Sequence, residues 1–140
     1  MNIKADVAAA RPWLANYPEQ VMHSLPESYN TTIDAVIREA TSQYSDRLAF
    51  ECLGKTLTFA QTLTYAERVA AWLQAQGLKK GDRVAVMTPN LLCCPVSIFG
   101  VILGGFTVVN VNPLYTPREL KHQITDSGAK ILFVLENFGH

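Results

Sequence analysis

A short polar stretch between two regular segments holds the side chains best suited to contact a ligand. Asn110 and Asn112 supply amide groups, Tyr115 a phenol and Thr116 a hydroxyl, all just before a predicted helix N-terminus. The stretch follows an apolar run that is predicted to be a strand, and ligands of α/β sheets bind beyond the carboxyl ends of strands. These four residues are therefore candidates for the wall of a substrate cleft. The alternative, which spacing alone favours, is that Asn-Pro and Thr-Pro only build a turn and a helix cap.

The sequence patterns of several other site classes are missing from the 140 residues. Neither GxGxxG nor GxxxxGK(S/T) occurs, so the two common phosphate-binding loops are absent. No serine lies in a GxSxG elbow, and the spacing of His23, His122 and His140 does not suit a metal site. His122 is expected to be an ordinary surface histidine on a helix flank. The sequence therefore assigns no catalytic, cofactor-binding or metal-binding residue within this chain.

Composition excludes nucleic-acid binding and disorder. Hydrophobic residues make up 49% and charged residues 17%, which is the balance of a globular protein. Twelve basic and twelve acidic residues cancel, so no net field attracts nucleic acid. The run from Leu91 to Val109 has no charge and approaches the length of a membrane span. Pro95 and the Gly104-Gly105 pair favour instead a buried helix followed by a strand.

The three cysteines are Cys52, Cys93 and Cys94, and none belongs to a CxxC pair. We therefore expect buried, unreactive thiols in a reducing cytoplasm rather than a metal or redox site. Residues 1–16 contain no apolar core of the kind that a signal peptide needs. Both observations predict an intracellular, cytoplasmic protein.

The first part of the chain is expected to differ in kind from the rest. Residues 1–30 are predicted to form an irregular arm, with an extended segment from Arg11 to Pro18. Its aromatic residues Trp13 and Tyr17 either dock on another surface or pack on their own domain, and the second is the simpler interpretation. Regular patterns begin after residue 30, and residues 31–140 are predicted to form an incomplete α/β subdomain of a larger domain.

Hydrophobic periodicity, caps and glycine stops predict the elements that would position the polar stretch. The expected N-caps are Thr31, Thr58, Asn90 and Thr116. The predicted helices cover residues 31–44, 58–76, 91–103 and 117–127, and the predicted strands cover residues 48–52, 57–59, 83–87, 106–111 and 130–135. The first two strands form a hairpin through Gly54-Lys55, and the later helix–strand repeats indicate right-handed crossovers. The predicted fold is an open three-layer α/β fragment with helices on a mostly parallel sheet, plus an N-terminal helix and β-hairpin.

Two longer segments resemble one protein family. The run from Leu78 to Asn90, LKKGDRVAVMTPN, is similar to the first strand region of the acyl-adenylate-forming enzymes, which activate carboxylic acids with ATP. The run from Val108 to Leu120, VVNVNPLYTPREL, resembles more narrowly the N-terminal portion of the bacterial long-chain fatty-acid–CoA ligases of that superfamily. The sequence Asp-Ser-Gly-Ala at 126–129 and the end of the hairpin also fit. The resemblance covers about residues 30–138.

The resemblance implies a two-step reaction in a larger, acyl-activating enzyme. A fatty acid would react with ATP to give an acyl-adenylate and pyrophosphate, and CoA would then displace AMP. ATP, Mg²⁺ and CoA are therefore implied for the whole enzyme. The family handles phosphate with a Ser/Thr/Gly-rich loop ending in Lys, a downstream Glu for magnesium and a Lys on a mobile C-terminal domain. None of these can be matched here, so no catalytic residue is carried over, and the isolated 140 residues are expected to be inactive.

The resemblance also bears on partners. Relatives can use their N-terminal region in dimer contacts, which makes Trp13, Tyr17, Tyr65 and Trp72 candidate interface residues in a homodimer. Packing within the parent domain is the alternative for these aromatic side chains. A lipid substrate is compatible with peripheral contact at the inner membrane, although the sequence contains no basic amphipathic helix that argues for it.

Two rival interpretations use the same residues. A short, non-catalytic binding or oligomerisation module would also explain a chain without a catalytic site, and exposed apolar surface would favour it. A dinucleotide-binding oxidoreductase domain shares the βαβ order, but the missing glycine fingerprint counts against it.

Overall fold

The computed structural model describes residues 11–24 and 31–138. The chain divides into two compact units, residues 1–31 and 32–140. In the first unit, Pro12–Asn16 forms a 3-10 helix. The prediction of an extended segment is therefore wrong here, because the fixed φ of a proline at the first position is compatible with a helical turn. Trp13 and Tyr17 are both exposed, and the predicted arm at residues 1–10 and 25–30 lies outside the described residues.

The second unit has the predicted α/β class and the predicted order of elements. They are α1 (Ile33–Tyr44), β1 (Leu48–Cys52), β2 (Lys55–Thr58), α2 (Phe59–Ala75), β3 (Arg83–Met87), α3 (Cys93–Leu103), β4 (Thr107–Asn110), α4 (Pro117–Ser127) and β5 (Ile131–Val134), with a 3-10 turn at Glu136–Phe138. Strands β1 and β2 form an antiparallel hairpin. Strands β4, β3 and β5 lie side by side in that order and form a parallel sheet.

The predicted capping boxes of α2 and α4 are both present. Thr58 and Gln61 exchange side-chain and backbone hydrogen bonds at the start of α2, and Thr116 and Glu119 do the same at the start of α4. Each box satisfies backbone N–H groups that have no partner within the helix. Helix α4 then ends at Gly128, whose φ of +62° is the left-handed conformation expected of a glycine at that position.

The other two predicted caps are wrong. Helix α1 is capped by Thr32 rather than Thr31, and the Thr32 hydroxyl accepts a hydrogen bond from the Ala35 N–H at 3.2 Å. Asn90 does not cap α3, which begins after Leu92 without a side-chain cap. The reason is a tight turn between β3 and α3, which moves the first helical residue away from Asn90.

The hairpin turn lies one residue earlier than predicted. It is formed by Leu53 and Gly54, whose φ values are +50° and +73°. Two-residue hairpin turns with both φ values positive match the twist of the strands, so this geometry is the favoured one. Leu53 is 89% exposed at the tip.

Strand β3 is the centre of both the sheet and the core. Its residues Val84 and Ala85 are completely buried, because strands flank β3 on both sides and helices cover both faces. Val84 and Val86 pack with side chains of α2 and α3, whereas Ala85 points to the face that α4 covers. The layers are therefore the α2–α3 pair, the sheet, and α4, which confirms the predicted three-layer arrangement.

Helices α2 and α3 cross closely at Gly100. A Cβ at this position would lie 2.5 Å from the Cβ of Val69 and 2.8 Å from the carbonyl oxygen of Ala66. Only glycine allows this approach, since any side chain would push the two helices apart. The close crossing brings Val101 of α3 and Leu73 of α2 into the same buried cluster.

The uncharged run from Leu91 to Val109 forms α3 and β4 rather than one long helix. No helix within residues 11–24 and 31–138 is long and apolar enough to cross a membrane.

Candidate functional site

The carboxyl ends of the three parallel strands meet at one edge of the sheet, here called the carboxyl edge. It is formed by residues 88–92 after β3, 111–116 after β4 and 135–138 after β5. The strand order β4-β3-β5 is the order 2-1-3 of doubly wound sheets, in which ligands bind between the first and third strands, outside their carboxyl ends. The segments after β3 and β5 are therefore central to this edge, and the loop after β4 flanks it.

The four predicted wall residues lie on or beside the loop from β4 to α4. The side-chain oxygen of Asn112 accepts a hydrogen bond from the Leu114 N–H at 3.0 Å, which closes a turn. The Thr116 hydroxyl donates to the carboxylate of Glu119 at 2.7 Å and accepts from the Glu119 N–H at 3.4 Å. Hydrogen bonds from Thr116 lower the pKa of Glu119. Asn112 and Thr116 thus stabilise the loop and the helix start, as the turn interpretation requires.

Asn110 and Tyr115 are differently placed. The side-chain amide of Asn110 and the phenol of Tyr115 form no hydrogen bond with any residue in the described part of the chain. The backbone carbonyl of Asn110 accepts a hydrogen bond from the side-chain N–H of Gln123 at 2.9 Å, which fixes the end of β4 against α4. Of the four candidates, Asn110 and Tyr115 are the ones whose side chains remain free to contact a ligand.

A broad polar groove of about 730 Å³ runs along the outer side of α4. Its lining includes Tyr115 and Thr116 but neither Asn110 nor Asn112, so the structure does not gather all four predicted residues around one cavity. His122 lines the groove and is exposed, as predicted. The groove is lined by Tyr115, Thr116, Arg118, Glu119, His122, Gln123 and Asp126. Its two acidic residues, Glu119 and Asp126, outnumber the single Arg118, so it offers no strong attraction for a phosphate.

Two buried polar atoms, one directly after β3 and one on α4, were not foreseen. The hydroxyl oxygen of Thr88 and the side-chain oxygen of Gln123 are buried, and neither has a hydrogen-bond partner among the described residues. A buried polar atom without a partner costs about 1–3 kcal/mol, so such atoms usually bind another polar group or an ordered water. Thr88 could have been found, because it directly follows an apolar strand. Gln123 gave no sequence signal, because its contact with Asn110 joins a helix to a strand end.

The opposite end of the sheet, here called the amino end, is closed by the chain itself. Asp82 precedes β3 and forms an ion pair with Lys130, which precedes β5, at 2.7 Å. The second carboxylate oxygen of Asp82 accepts a hydrogen bond from the Lys79 N–H at 2.8 Å. The hydrogen bonds from Lys130 and Lys79 lower the pKa of Asp82. Asp82 also accepts, through its backbone carbonyl, a hydrogen bond from the Thr107 N–H at 2.9 Å, which joins the starts of β3 and β4.

The cysteines differ from the prediction of buried thiols. Cys93 is exposed, Cys52 and Cys94 are half-buried, and all three are free. Cys93 and Cys94 lie in the first turn of α3, far along the helix from the buried Val101. Within residues 11–24 and 31–138, no three side chains of the types that bind metals come together in a metal site.

The sequence is similar to curated fatty-acid–CoA ligases. It is 46% identical over 130 residues to the long-chain-fatty-acid–CoA ligase of Escherichia coli O6:H1, and 42% identical over 126 residues to that of Bacillus subtilis. These matches cover 91% and 90% of this chain but 23% and 22% of the relatives. The chain therefore spans less than a quarter of the length of the relatives it matches.

The fold is also found in solved structures. The anthranilate CoA ligase AuaEII in complex with anthranoyl-AMP matches with a TM-score of 0.74 and 24% identity, over 81% of this chain and 22% of that chain. VinN in complex with 3-methylaspartate matches with a TM-score of 0.74 and 22% identity, over 78% of this chain and 30% of that chain. The model of the AMP-binding enzyme family matches residues 37–139, which include every strand and nearly all helical residues of the second unit. The chain therefore belongs to the AMP-binding enzyme family, as the resemblance of its motifs indicates.

Proposed function

We propose that this chain is the N-terminal α/β part of an ATP-dependent long-chain fatty-acid–CoA ligase. The observation that carries the proposal is the identity of 46% to such a ligase over 91% of the chain. In this reaction a fatty carboxylate attacks the α-phosphate of ATP, which gives an acyl-adenylate and releases pyrophosphate. The thiolate of CoA then displaces AMP. The alternative of an independent non-catalytic module does not account for this similarity.

The proposed contribution of the chain is a scaffold and one wall of the reaction cleft. Asn110 at the end of β4 and Tyr115 in the following loop present exposed amide and phenol groups, and Thr88 after β3 carries a buried hydroxyl without a partner among the described residues. Such groups suit the polar part of an acyl-adenylate better than its alkyl chain, because each can exchange hydrogen bonds with oxygen or nitrogen atoms. Asn112 and Thr116 are proposed to act indirectly, because their hydrogen bonds hold in place the loop that carries Tyr115.

The charge that develops during phosphoryl chemistry requires groups from outside this chain. Transfer at the α-phosphate is accelerated by cations and backbone donors that surround the phosphate. The described residues neither form a metal site nor supply a strongly cationic cavity. No cluster of metal-binding side chains among the described residues could hold Mg²⁺, so no step is assigned to a metal held by this chain. ATP, CoA and Mg²⁺ belong to the proposal for the whole enzyme.

The proposal is tested by fatty-acid-dependent ATP–pyrophosphate exchange. We expect exchange from a full-length protein that carries this chain, and none from the 140 residues alone. In the full-length protein, Asn110→Ala and Tyr115→Phe should lower the exchange rate. Leu114→Ala is the matched control, because Leu114 lies in the same loop and is 82% exposed. Exchange by the isolated chain would show that it has a complete site, and a full-length protein without exchange would refute the ligase assignment.

Partners and location extend the proposal. Tyr65 and Trp72 are both exposed on α2, which suits a homodimer contact. The Trp72 ring also packs against Phe133 at 5.8 Å, which supports the alternative of packing inside the parent domain. Sedimentation of the full-length protein and of its Trp72→Ala variant separates the two roles, since only an interface residue changes the dimerisation constant. Peripheral contact of a cytoplasmic enzyme with the inner membrane is tested by flotation with anionic liposomes.

A further inference from the structure

A cavity of about 180 Å³ lies between strand β1 of the hairpin and helices α1, α2 and α3, and is here called the apolar cavity. Ile37 of α1 and Thr62 of α2 are its most deeply buried lining residues, with 9% and 3% of their surfaces exposed. Val36 is the lining residue most open to solvent, at 49%. The apolar cavity shares no residue with the carboxyl edge or with the groove along α4. Neither of those regions therefore explains it.

The lining of the apolar cavity carries only two polar side chains, Thr41 and Thr62, and both are engaged within their own helices. The Thr41 hydroxyl donates to the Ile37 carbonyl at 2.9 Å, and the Thr62 hydroxyl donates to the Thr58 carbonyl at 2.8 Å. Neither hydroxyl has a hydrogen left to donate. A buried water needs about 2–4 polar partners, so the lining suits an apolar group better than water.

Helices α1 and α2 are joined on both sides of the apolar cavity. Two backbone hydrogen bonds of 3.0 Å connect residues 45–47, which follow α1, to residues 59–60 at the start of α2. Farther along both helices, the guanidinium of Arg38 binds the carboxylate of Glu67 at 3.0 Å. These contacts fix the spacing of the two helices. The short side chain of Ala40 therefore leaves space between them unfilled.

Three phenyl rings, each from a different element, line the apolar cavity. They belong to Phe50 of β1, Phe59 of α2 and Phe99 of α3. The ring centroids of Phe50 and Phe99 are 6.1 Å apart, with the ring planes tilted by 56°. Aromatic rings attract a further ring in edge-to-face or offset contacts. An apolar cavity of about 150 Å³ is large enough to hold benzene, so this one has room for a single ring.

We infer that the apolar cavity is a binding site for a small aromatic hydrocarbon with one ring. The ligand enters beside Val36 and packs against the three phenyl rings and Ile37. Benzene is the simplest probe of this class. Its six carbon atoms limit the affinity, so we expect a dissociation constant on the order of 1 mM.

The site is tested by titrating the protein with benzene and following its methyl groups by NMR. We expect saturable shifts at the methyl groups of Val36, Ile37 and Leu63, which line the apolar cavity. Ala40→Leu places a larger side chain in the cavity and should abolish these saturable shifts. Ala35→Leu is the matched control, because it makes the same change on the same helix at an exposed residue outside the lining. It should bind benzene like the unmutated protein.

A second variant and a second measurement make the test independent of how Ala40→Leu folds. Ala49→Val narrows the same cavity from β1 with a residue that strands favour, and should also abolish binding. A ligand that binds only the folded state raises the unfolding temperature, so benzene should raise it in the unmutated protein and in Ala35→Leu but in neither filled variant. Shifts that grow without saturation, or unchanged binding in both filled variants, would overturn the inference. Neither measurement depends on ligase activity, so failure of this inference and failure of the proposed function are distinguishable.

Discussion

The two ends of the parallel sheet are built from the same three strands but differ in how their polar groups are satisfied. At the amino end, Asp82 binds Lys130 and the Lys79 N–H, so its carboxylate is fully engaged within the chain. At the carboxyl edge, the buried hydroxyl of Thr88 has no partner among the described residues, and neither has the side-chain oxygen of Gln123 on α4, whose amide N–H binds the carbonyl at the end of β4. One end is therefore closed by its own side chains, whereas the other carries unused hydrogen-bonding capacity.

This difference separates stabilising residues from residues available for function. A ligand site needs polar groups that have no hydrogen-bond partner within the fold, and such groups destabilise the protein while they are buried and unpaired. Substitutions at the amino end should therefore reduce stability. Substitutions of the free groups at the carboxyl edge should leave stability unchanged or improve it, and should act on ligand binding instead.

The largest effect is expected for Gly128→Ala at the amino end. Gly128 has a φ of +62°, and an added Cβ would lie 3.0 Å from a guanidinium nitrogen of Arg83. Alanine in the left-handed conformation should lower the free energy of unfolding by about 1–2 kcal/mol. Urea denaturation measures the change. Leu114→Ala in the exposed loop of the carboxyl edge is the comparison and should change stability by less than about 0.5 kcal/mol; equal losses would contradict the contrast between the two ends.

The second-largest loss of stability is expected at Thr116, the candidate wall residue whose hydroxyl is hydrogen-bonded to Glu119. Thr116→Ala removes the cap of α4 and should lower the free energy of unfolding by about 1 kcal/mol. Thr116→Ser keeps a hydroxyl at the same position and should retain most of that stability. Thermal unfolding of both variants measures the difference. If alanine were as stable as serine, Thr116 would not be a structural cap, and a direct role at the cleft would be favoured.

A gain in stability, rather than a loss, is expected for a substitution of Thr88. Thr88→Val replaces an unpartnered buried hydroxyl by a methyl group of similar size, and should raise the free energy of unfolding by up to about 1 kcal/mol. Thr62→Val is the matched control. The buried hydroxyl of Thr62 donates to the Thr58 carbonyl at 2.8 Å, so its loss should cost about 1 kcal/mol. Urea titration of both variants measures the difference. If Thr88→Val lost as much stability as Thr62→Val, the Thr88 hydroxyl would have a hydrogen-bond partner.

The smallest change in stability is expected for the ion pair at the amino end, in which Lys130 is exposed and Asp82 is half-buried. The pKa of Asp82 in the folded protein is lowered from its ordinary value of 3.8, so its interactions stabilise the fold above that pH and are lost as the pH falls through the folded pKa. Asp82→Asn should therefore be slightly less stable than the unmutated protein at neutral pH, and the difference should shrink at a pH well below 3.8. Urea midpoints at both pH values, with Lys130→Ala in a double-mutant cycle, measure it. A difference that does not change with pH would exclude the carboxylate charge as its cause.

Local signals predicted the regular elements well, and they failed where tertiary contacts decide. The capping boxes at Thr58 and Thr116 are local patterns of four residues, and both are present as predicted. The start of α3 depends on a turn whose geometry follows from the position of β3 in the sheet, so Asn90 was misassigned as a cap. The exposure of Cys93 likewise depends on which end of α3 reaches the core.

The candidate site was only partly predictable for the same reason. That Asn110 and Tyr115 lie beyond a buried strand could be read from the order of polar and apolar residues. Two other features depend on side-chain distances, which a sequence pattern does not contain. They are the hydrogen bond by which Asn112 closes a turn and the one that joins Gln123 to Asn110. The role of Thr88 follows from the strand order β4-β3-β5, and that order is a property of the folded sheet.

The same strand order has a consequence for protein synthesis. Strand β3 is the first of the three parallel strands to leave the ribosome, yet it needs β4 and β5 on its two sides. Its backbone N–H and C=O groups stay unpaired until residues 107–110 and 131–134 have been made, a delay on the order of seconds at normal translation rates. Helix α2 is already synthesised and can shield one face of β3 during that interval. A nascent chain arrested before β5 would therefore expose an apolar strand with one unpaired backbone edge, which is the kind of surface that chaperones bind.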